Sequence, residues 1–156
     1  MLSTFHIFML SAVPLLRMHD IYENTVRFEE TDAQGVVFYG NYVTYQDEAV
    51  TEYLNAVGFG YENFESRDWD VHVVNLELNY RGSATFRDRL INSARVTAIN
   101  ESSIEFEYEC RRAKDDEVLA EGTVTHVAVE NGTPTRVPDE FREAIVEFQD
   151  EPPEPV

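Results

Sequence analysis

The chain has 156 residues, 43% hydrophobic and 12% aromatic, which is enough for one packed core and too few for two ordinary domains or a (β/α)₈ barrel. Thirty acidic residues face eleven arginines and a single lysine, Lys114, for a formal net charge of −18. A surface of that sign repels nucleic acid, so no RNA or DNA partner is expected.

The acids are spread along the whole chain and lysine is scarce throughout. That pattern favours a halophilic reading, an acidic surface adapted to a cytoplasm at molar salt, over an acidic docking face for a basic partner. One cysteine, Cys110, excludes an internal disulfide and a thiolate cluster. The histidines form no HxH or HxxxH pair, so a metal site is not indicated.

Residues 1–17 are apolar and free of acids. They lack the positive start of a secretory signal and the length of a membrane span, so they read as an extension outside the core. A cytoplasmic domain over 18–149, without membrane contact, is expected to begin at Met18. Residues 21–30 alternate loosely and predict a first strand, and the composition of TDAQG predicts a turn. Tyr42, Tyr45, Ala49, Tyr53 and Ala56 then recur at three and four, which predicts a helix from Asn41 to Val57. Asn41 would cap it and Gly58 would end it. Val43, Val50 and Leu54 widen its apolar stripe, so the sheet should bury the helix on several sides.

The second half alternates with a period of two. Strands are predicted at 74–80, near 87–99, at 104–111 and at 117–130, with hairpin turns at 100–102 and 114–116. Pro138 opens a short helix over 138–149, and residues 150–156 are expected to form a disordered acidic tail. The order predicts an α+β fold, one long central helix on a curved antiparallel sheet.

No nucleophile elbow or P-loop is present. Cys110 shares the apolar face of its strand and reads as a core residue, and His126 reads as a buried, hydrogen-bonded histidine. The segment from Thr31 to Tyr42 has more chemical content. A carboxylate, Asp32, stands where a strand gives way to a Gly turn and then to a helix start. Unpaired backbone N–H groups at a helix start can hold a developing oxyanion, and a nearby carboxylate can attack a carbonyl or activate water. Asp32 as a mere turn cap explains the same residue, and composition alone leaves both readings open.

The stretch VRFEETDAQGVVFYGNYVTYQDEAVTEYL resembles the signature of the hotdog-fold acyl-CoA thioesterases, in the branch of the 4-hydroxybenzoyl-CoA thioesterase and YbgC-like enzymes. Asp32, Gly35, Val36, Val37, Phe38, Tyr39 and Tyr42 fall in its register. The stretches Tyr80–Ala84, Arg87–Leu90 and Thr135–Pro138 agree as well, with Ser83 where the family has proline. The resemblance covers about residues 20–148.

It implies a hotdog fold and hydrolysis of an acyl-CoA substrate, with no metal or redox cofactor needed. Asp32 would be nucleophile or general base, and the backbone N–H of Tyr39 would polarise the thioester carbonyl. Gly35, Val36 and Tyr42 are expected against the substrate. Arg81, Arg87 and Arg89 lie in the most basic stretch and are expected at its phosphates. Other branches carry the carboxylate on the helix, where Asp47, Glu48 and Glu52 would serve. A homodimer, assembled into a homotetramer with the site at a subunit interface, is implied too. The alternative is a non-catalytic acyl-CoA-binding hotdog module; a hotdog dehydratase would want a histidine near Asp32, and none lies within 12 residues. The acyl group stays open, since Tyr39, Tyr42 and Tyr45 could line an aromatic pocket or fill the helix core.

Overall fold

The computed structural model describes residues 18–156, so the expectation for residues 1–17 lies outside the described chain. Strand β1 (His19–Thr25) leads through a 3₁₀ turn at Phe28–Glu30 to helix α1 (Asn41–Ala56). A second 3₁₀ segment, Tyr61–Ser66, precedes β2 (Asp70–Tyr80), β3 (Arg89–Ile99), β4 (Ser103–Arg112) and β5 (Val118–Glu130). The short β6 (Thr133–Pro134) and helix α2 (Asp139–Phe148) follow.

The period-two pattern becomes a two-faced sheet. On β4, Ile104, Phe106, Tyr108 and Cys110 are all fully buried, while the residues between them are half-buried. The sheet is antiparallel throughout, in the order β1-β3-β4-β5-β2. Bulges interrupt the register at four places, near Tyr22, Val73–Asn75, Val96–Ala98 and Cys110–Arg111. Each adds local bend and twist, which helps the sheet curl around a helix. Helix α1 lies in that curve and buries Tyr42, Tyr45, Gln46, Ala49, Val50, Tyr53 and Leu54. The expected hotdog arrangement is therefore the one the chain adopts.

Three differences from the sequence expectations have physical causes. The first strand ends at Thr25, because residues 28–30 tighten into a 3₁₀ turn held by Glu30, whose carboxylate accepts from the Arg27 N–H at 2.6 Å. Gly40, not Asn41, occupies the N-cap of α1; the Asn41 side-chain amide donates to the Glu30 carbonyl at 2.8 Å instead. Val43 is 39% exposed, so the sheet does not cover that side of α1. Consecutive strands are not all neighbours: β2 pairs with β5, and residues 81–88 cross from one edge of the sheet to the β1 side.

The tail is the clearest correction. Residues 150–156, expected to be disordered, are tied to the outer edge of β3. Ile99 N–H donates to the Pro155 carbonyl at 2.7 Å, Glu154 N–H donates to the Thr97 carbonyl at 3.0 Å, and Pro153 is buried. Strand β1 pairs with β3 only through Ala94, so residues 96–99, paired with β4 on one side, have no strand partner on the other. Gln149 fills part of that gap. Its amide oxygen accepts from Val96 N–H and from the Tyr53 hydroxyl, both at 2.6 Å, and its nitrogen donates to the Val96 carbonyl at 3.1 Å. A buried strand edge needs such partners, and the C-terminus supplies them.

Candidate active site

The site begins with a narrow hairpin. Asp32 N–H donates to the Val36 carbonyl and Phe38 N–H to the Glu30 carbonyl, both at 2.9 Å, so residues 30–32 run against 36–38. The turn between them closes through Gly35 N–H to the Asp32 carbonyl at 2.9 Å. Gly35 sits at φ +77°, where a side chain would be strained. The crossing segment supports the hairpin from below: Val37 N–H donates to the Ala84 carbonyl at 2.9 Å, and Val36 bridges Thr85.

Asp32 does cap this turn. Its Oδ1 accepts from Gln34 N–H at 2.8 Å. Its Oδ2 has no hydrogen-bond partner among the described residues, and the residue is half-buried. One carboxylate oxygen is therefore anchored and the other is available.

Past the hairpin the chain turns directly into α1. Asn41 N–H reaches back to the Phe38 carbonyl and Tyr42 N–H to the Tyr39 carbonyl. The N–H groups of Tyr39 and Gly40 make no hydrogen bond among the described residues. They are two of the donors that a helix start leaves over, at the positive end of its dipole. The Tyr80 hydroxyl donates to the Tyr39 carbonyl at 3.0 Å and pins this peptide unit. The Tyr39 ring itself is 65% exposed, so the backbone here is fixed while the side chain faces outward.

The tyrosines divide between two roles. Tyr42 and Tyr45 are buried in the core, and the Tyr42 hydroxyl accepts from Ala84 N–H at 3.3 Å, which ties α1 to the crossing segment. Burial pushes the Tyr42 phenol up to about 12 and Tyr45 higher still, with the Glu30 charge adding to the rise at Tyr45. Both stay neutral in ordinary conditions. Tyr39 and Tyr80 remain at the surface, their rings 6.4 Å apart.

Of the arginines expected at phosphates, Arg81 bonds Glu121 at 2.6 Å and Arg89 approaches Glu23 at 3.4 Å. Both pairs are exposed and so are worth little. Arg87 has a free side chain among the described residues and a positive φ of 72°. Asp47 is exposed on α1, while Glu48 and Glu52 are half-buried; none lies on the hairpin with Asp32.

One polar side chain escaped the sequence reading because it sits among apolar neighbours, and another departs from it in its hydrogen bonding. Gln46, only 1% exposed, looked like an ordinary helix residue, and neither of its side-chain polar atoms has a partner among the described residues. His126 is buried as expected, yet its Nδ1 is unpartnered, and burial lowers its pKa to about 4. No group of three or more His, Cys, Asp and Glu among the described residues is placed to hold a metal. No described helix is long and apolar enough to cross a membrane.

Comparison with known proteins places this geometry in context. The sequence model of the thioesterase-like superfamily matches residues 26–145. A protein of Aquifex aeolicus carrying an esterase description is 30% identical over 125 residues, covering 80% of this chain and 96% of that one. The acyl-CoA thioesterase YbgC of Haemophilus influenzae is 30% identical over 123 residues, 77% of this chain and 89% of that one. The crystal structure of a 1,4-dihydroxy-2-naphthoyl-CoA thioesterase from Synechocystis shares the fold, with a TM-score of 0.75 at 23% identity over 84% of this chain and 97% of that one.

Proposed function

The chain belongs to the thioesterase-like superfamily, and we propose that it hydrolyses an acyl-CoA thioester to the free acid and coenzyme A. The observation that carries this reading is the pairing of an available Asp32 oxygen with two unpaired N–H groups, Tyr39 and Gly40, across one short hairpin.

A thioester carbonyl oxygen placed about 3 Å from those amides gains stabilisation as negative charge develops on it. Its carbon then needs a nucleophile about 3 Å away. Amide and carboxylate therefore need stand only about 6–7 Å apart. As nucleophile, Asp32 forms an acyl–carboxylate anhydride and expels the coenzyme A thiolate; water then cleaves the anhydride. As general base, Asp32 takes a proton from the water that attacks the carbonyl carbon, and the thiolate leaves in the same sequence. Both routes use the same two amides and need no metal.

Arg87 is the arginine best placed to meet coenzyme A phosphates without first leaving a carboxylate, with Arg81 and Arg89 able to exchange their exposed partners. Strand β2 is a sheet edge 11 residues long, with Val73, Val74 and Leu76 exposed. An unpaired apolar edge of that length favours pairing with a second copy, hence a homodimer as the building block. The acidic surface fits a cytoplasm at high salt.

Thiol release from a panel of aliphatic and aromatic acyl-CoAs tests the proposal. Turnover of at least one member is expected. Saturable binding with no thiol released would make the chain a binding module and overturn the hydrolase reading.

A further inference from the structure

We propose that Gln46 and His126 form a polar recognition pair that selects acyl groups bearing a neutral hydroxyl over unsubstituted and carboxylated ones. The inference rests on the hydrolase reading above and adds the residues that would set its specificity.

A cavity of about 310 Å³ opens between α1 and the β2–β5 side of the sheet. Its walls are apolar, with Val50, Val73, Leu76 and Val124 prominent, and Gln46 and His126 line it too. These two side chains are 99% and 98% buried by their exposures of 1% and 2%. Three of their polar atoms, Gln46 Oε1 and Nε2 and His126 Nδ1, have no partner among the described residues. Buried polar groups are almost always satisfied, so orphan atoms on two residues that line one cavity point to a ligand that satisfies them.

The chemistry of the pair narrows the ligand. The Gln46 amide offers a donor and an acceptor, and burial keeps the His126 imidazole neutral near pH 7. A hydroxyl both donates and accepts, which matches. A carboxylate does not: no lysine or arginine lines the cavity, and Asp47 stands on its wall. A plain hydrocarbon would leave all three atoms unpaired.

The cavity is also in line with the proposed site. Val43, Gln46 and Val50 recur at helical spacing, and Val43 stands in the first turn of α1, three residues past the N-cap Gly40, so one stripe of the helix leads from its start into the cavity. Gln46 lies six residues past the N-cap Gly40, about 9 Å along the axis. That is the length scale of an acyl group with a single ring or a medium-length chain.

The test uses matched pairs on the full chain: benzoyl-CoA against 4-hydroxybenzoyl-CoA, octanoyl-CoA against 8-hydroxyoctanoyl-CoA, and 4-carboxybenzoyl-CoA as the charged control. The wild type should favour the hydroxyl member of at least one pair by about tenfold or more in kcat/KM, and reject the carboxylate. Gln46→Met should bring that ratio to within about threefold of one. His126→Phe gives the same readout if Gln46→Met fails to fold. Equal wild-type activity on both members of both pairs, as a water-filled cavity would give, overturns the inference. So does an equal loss on both members in a folded variant. If no acyl-CoA releases thiol, the hydrolase reading fails by itself, and calorimetric binding of the same pairs decides: about tenfold tighter binding of the hydroxylated member supports the recognition pair, and equal affinity overturns it.

Discussion

Asp32 does two things that substitution can separate. Its Oδ1 holds the Gln34 N–H, and its other oxygen is available for chemistry. Asp32→Asn keeps the turn acceptor, so its melting temperature should match the wild type. Asp32→Ala loses the acceptor and should cost about 1 kcal/mol, read by denaturant titration. Equal stability of Ala and Asn variants would show that the turn does not depend on the side chain. His126 makes a pH-dependent contribution of definite sign. Burial depresses its folded pKa to about 4 from 6.5, so between those values the unfolded chain binds a proton that the folded chain does not. The contribution is fully present above pH 6.5 and is lost as pH falls toward 4, on the order of 3 kcal/mol at the limit. Folding free energy should therefore drop less between pH 7 and 4.5 in His126→Phe than in the wild type. Parallel pH profiles for the two proteins would count against a neutral buried imidazole.

At the scale of elements, the outer edge of β3 shows what a linear pattern carries and what it does not. Residues 89–94 pair with β1, Val96 with the Gln149 side chain, and 97–99 with the C-terminal tail. Gln149→Ala would leave the Val96 amide and the Tyr53 hydroxyl unpaired in the core. It should lower stability by about 2–4 kcal/mol, measured by denaturant titration, since each orphaned buried group costs about 1–3 kcal/mol. A loss under about 0.5 kcal/mol would mean that water replaces the side chain. The helix and the strands were legible because their apolar residues recur with the period of the element: β4 alternates strictly, and α1 repeats at three and four. The Gln149 clamp was not legible, because a glutamine completing a ladder 53 residues away has no local signature. The tail failed for the same reason, since its acidic, proline-rich composition matches disorder while its backbone answers an edge left by β1. The Asp32 turn and helix start were legible in DAQG and the following aromatics. Which N–H groups stay unpaired depends on Gly40 taking the N-cap, and that required the folded chain.

Across the whole molecule, charge dominates. At −18 the chain repels polyanionic coenzyme A, and most of its arginines are already paired with carboxylates, as Arg111 is with Asp20 and Arg112 with Glu117. Salt shortens the range of that repulsion from roughly 10 Å at 0.1 M to roughly 3 Å at 1 M. KM for the best acyl-CoA should therefore fall as KCl rises toward molar, and a steady climb would contradict salt adaptation. The account as a whole turns on the hydrolysis of a thioester through Asp32. The most direct measurement is thiol release from the best acyl-CoA by Asp32→Asn beside the wild type, with both proteins shown to be folded. The account predicts a kcat at least about 10²-fold lower with KM little changed. Wild-type turnover by the folded variant would contradict it and move the search to Asp47, Glu48 and Glu52.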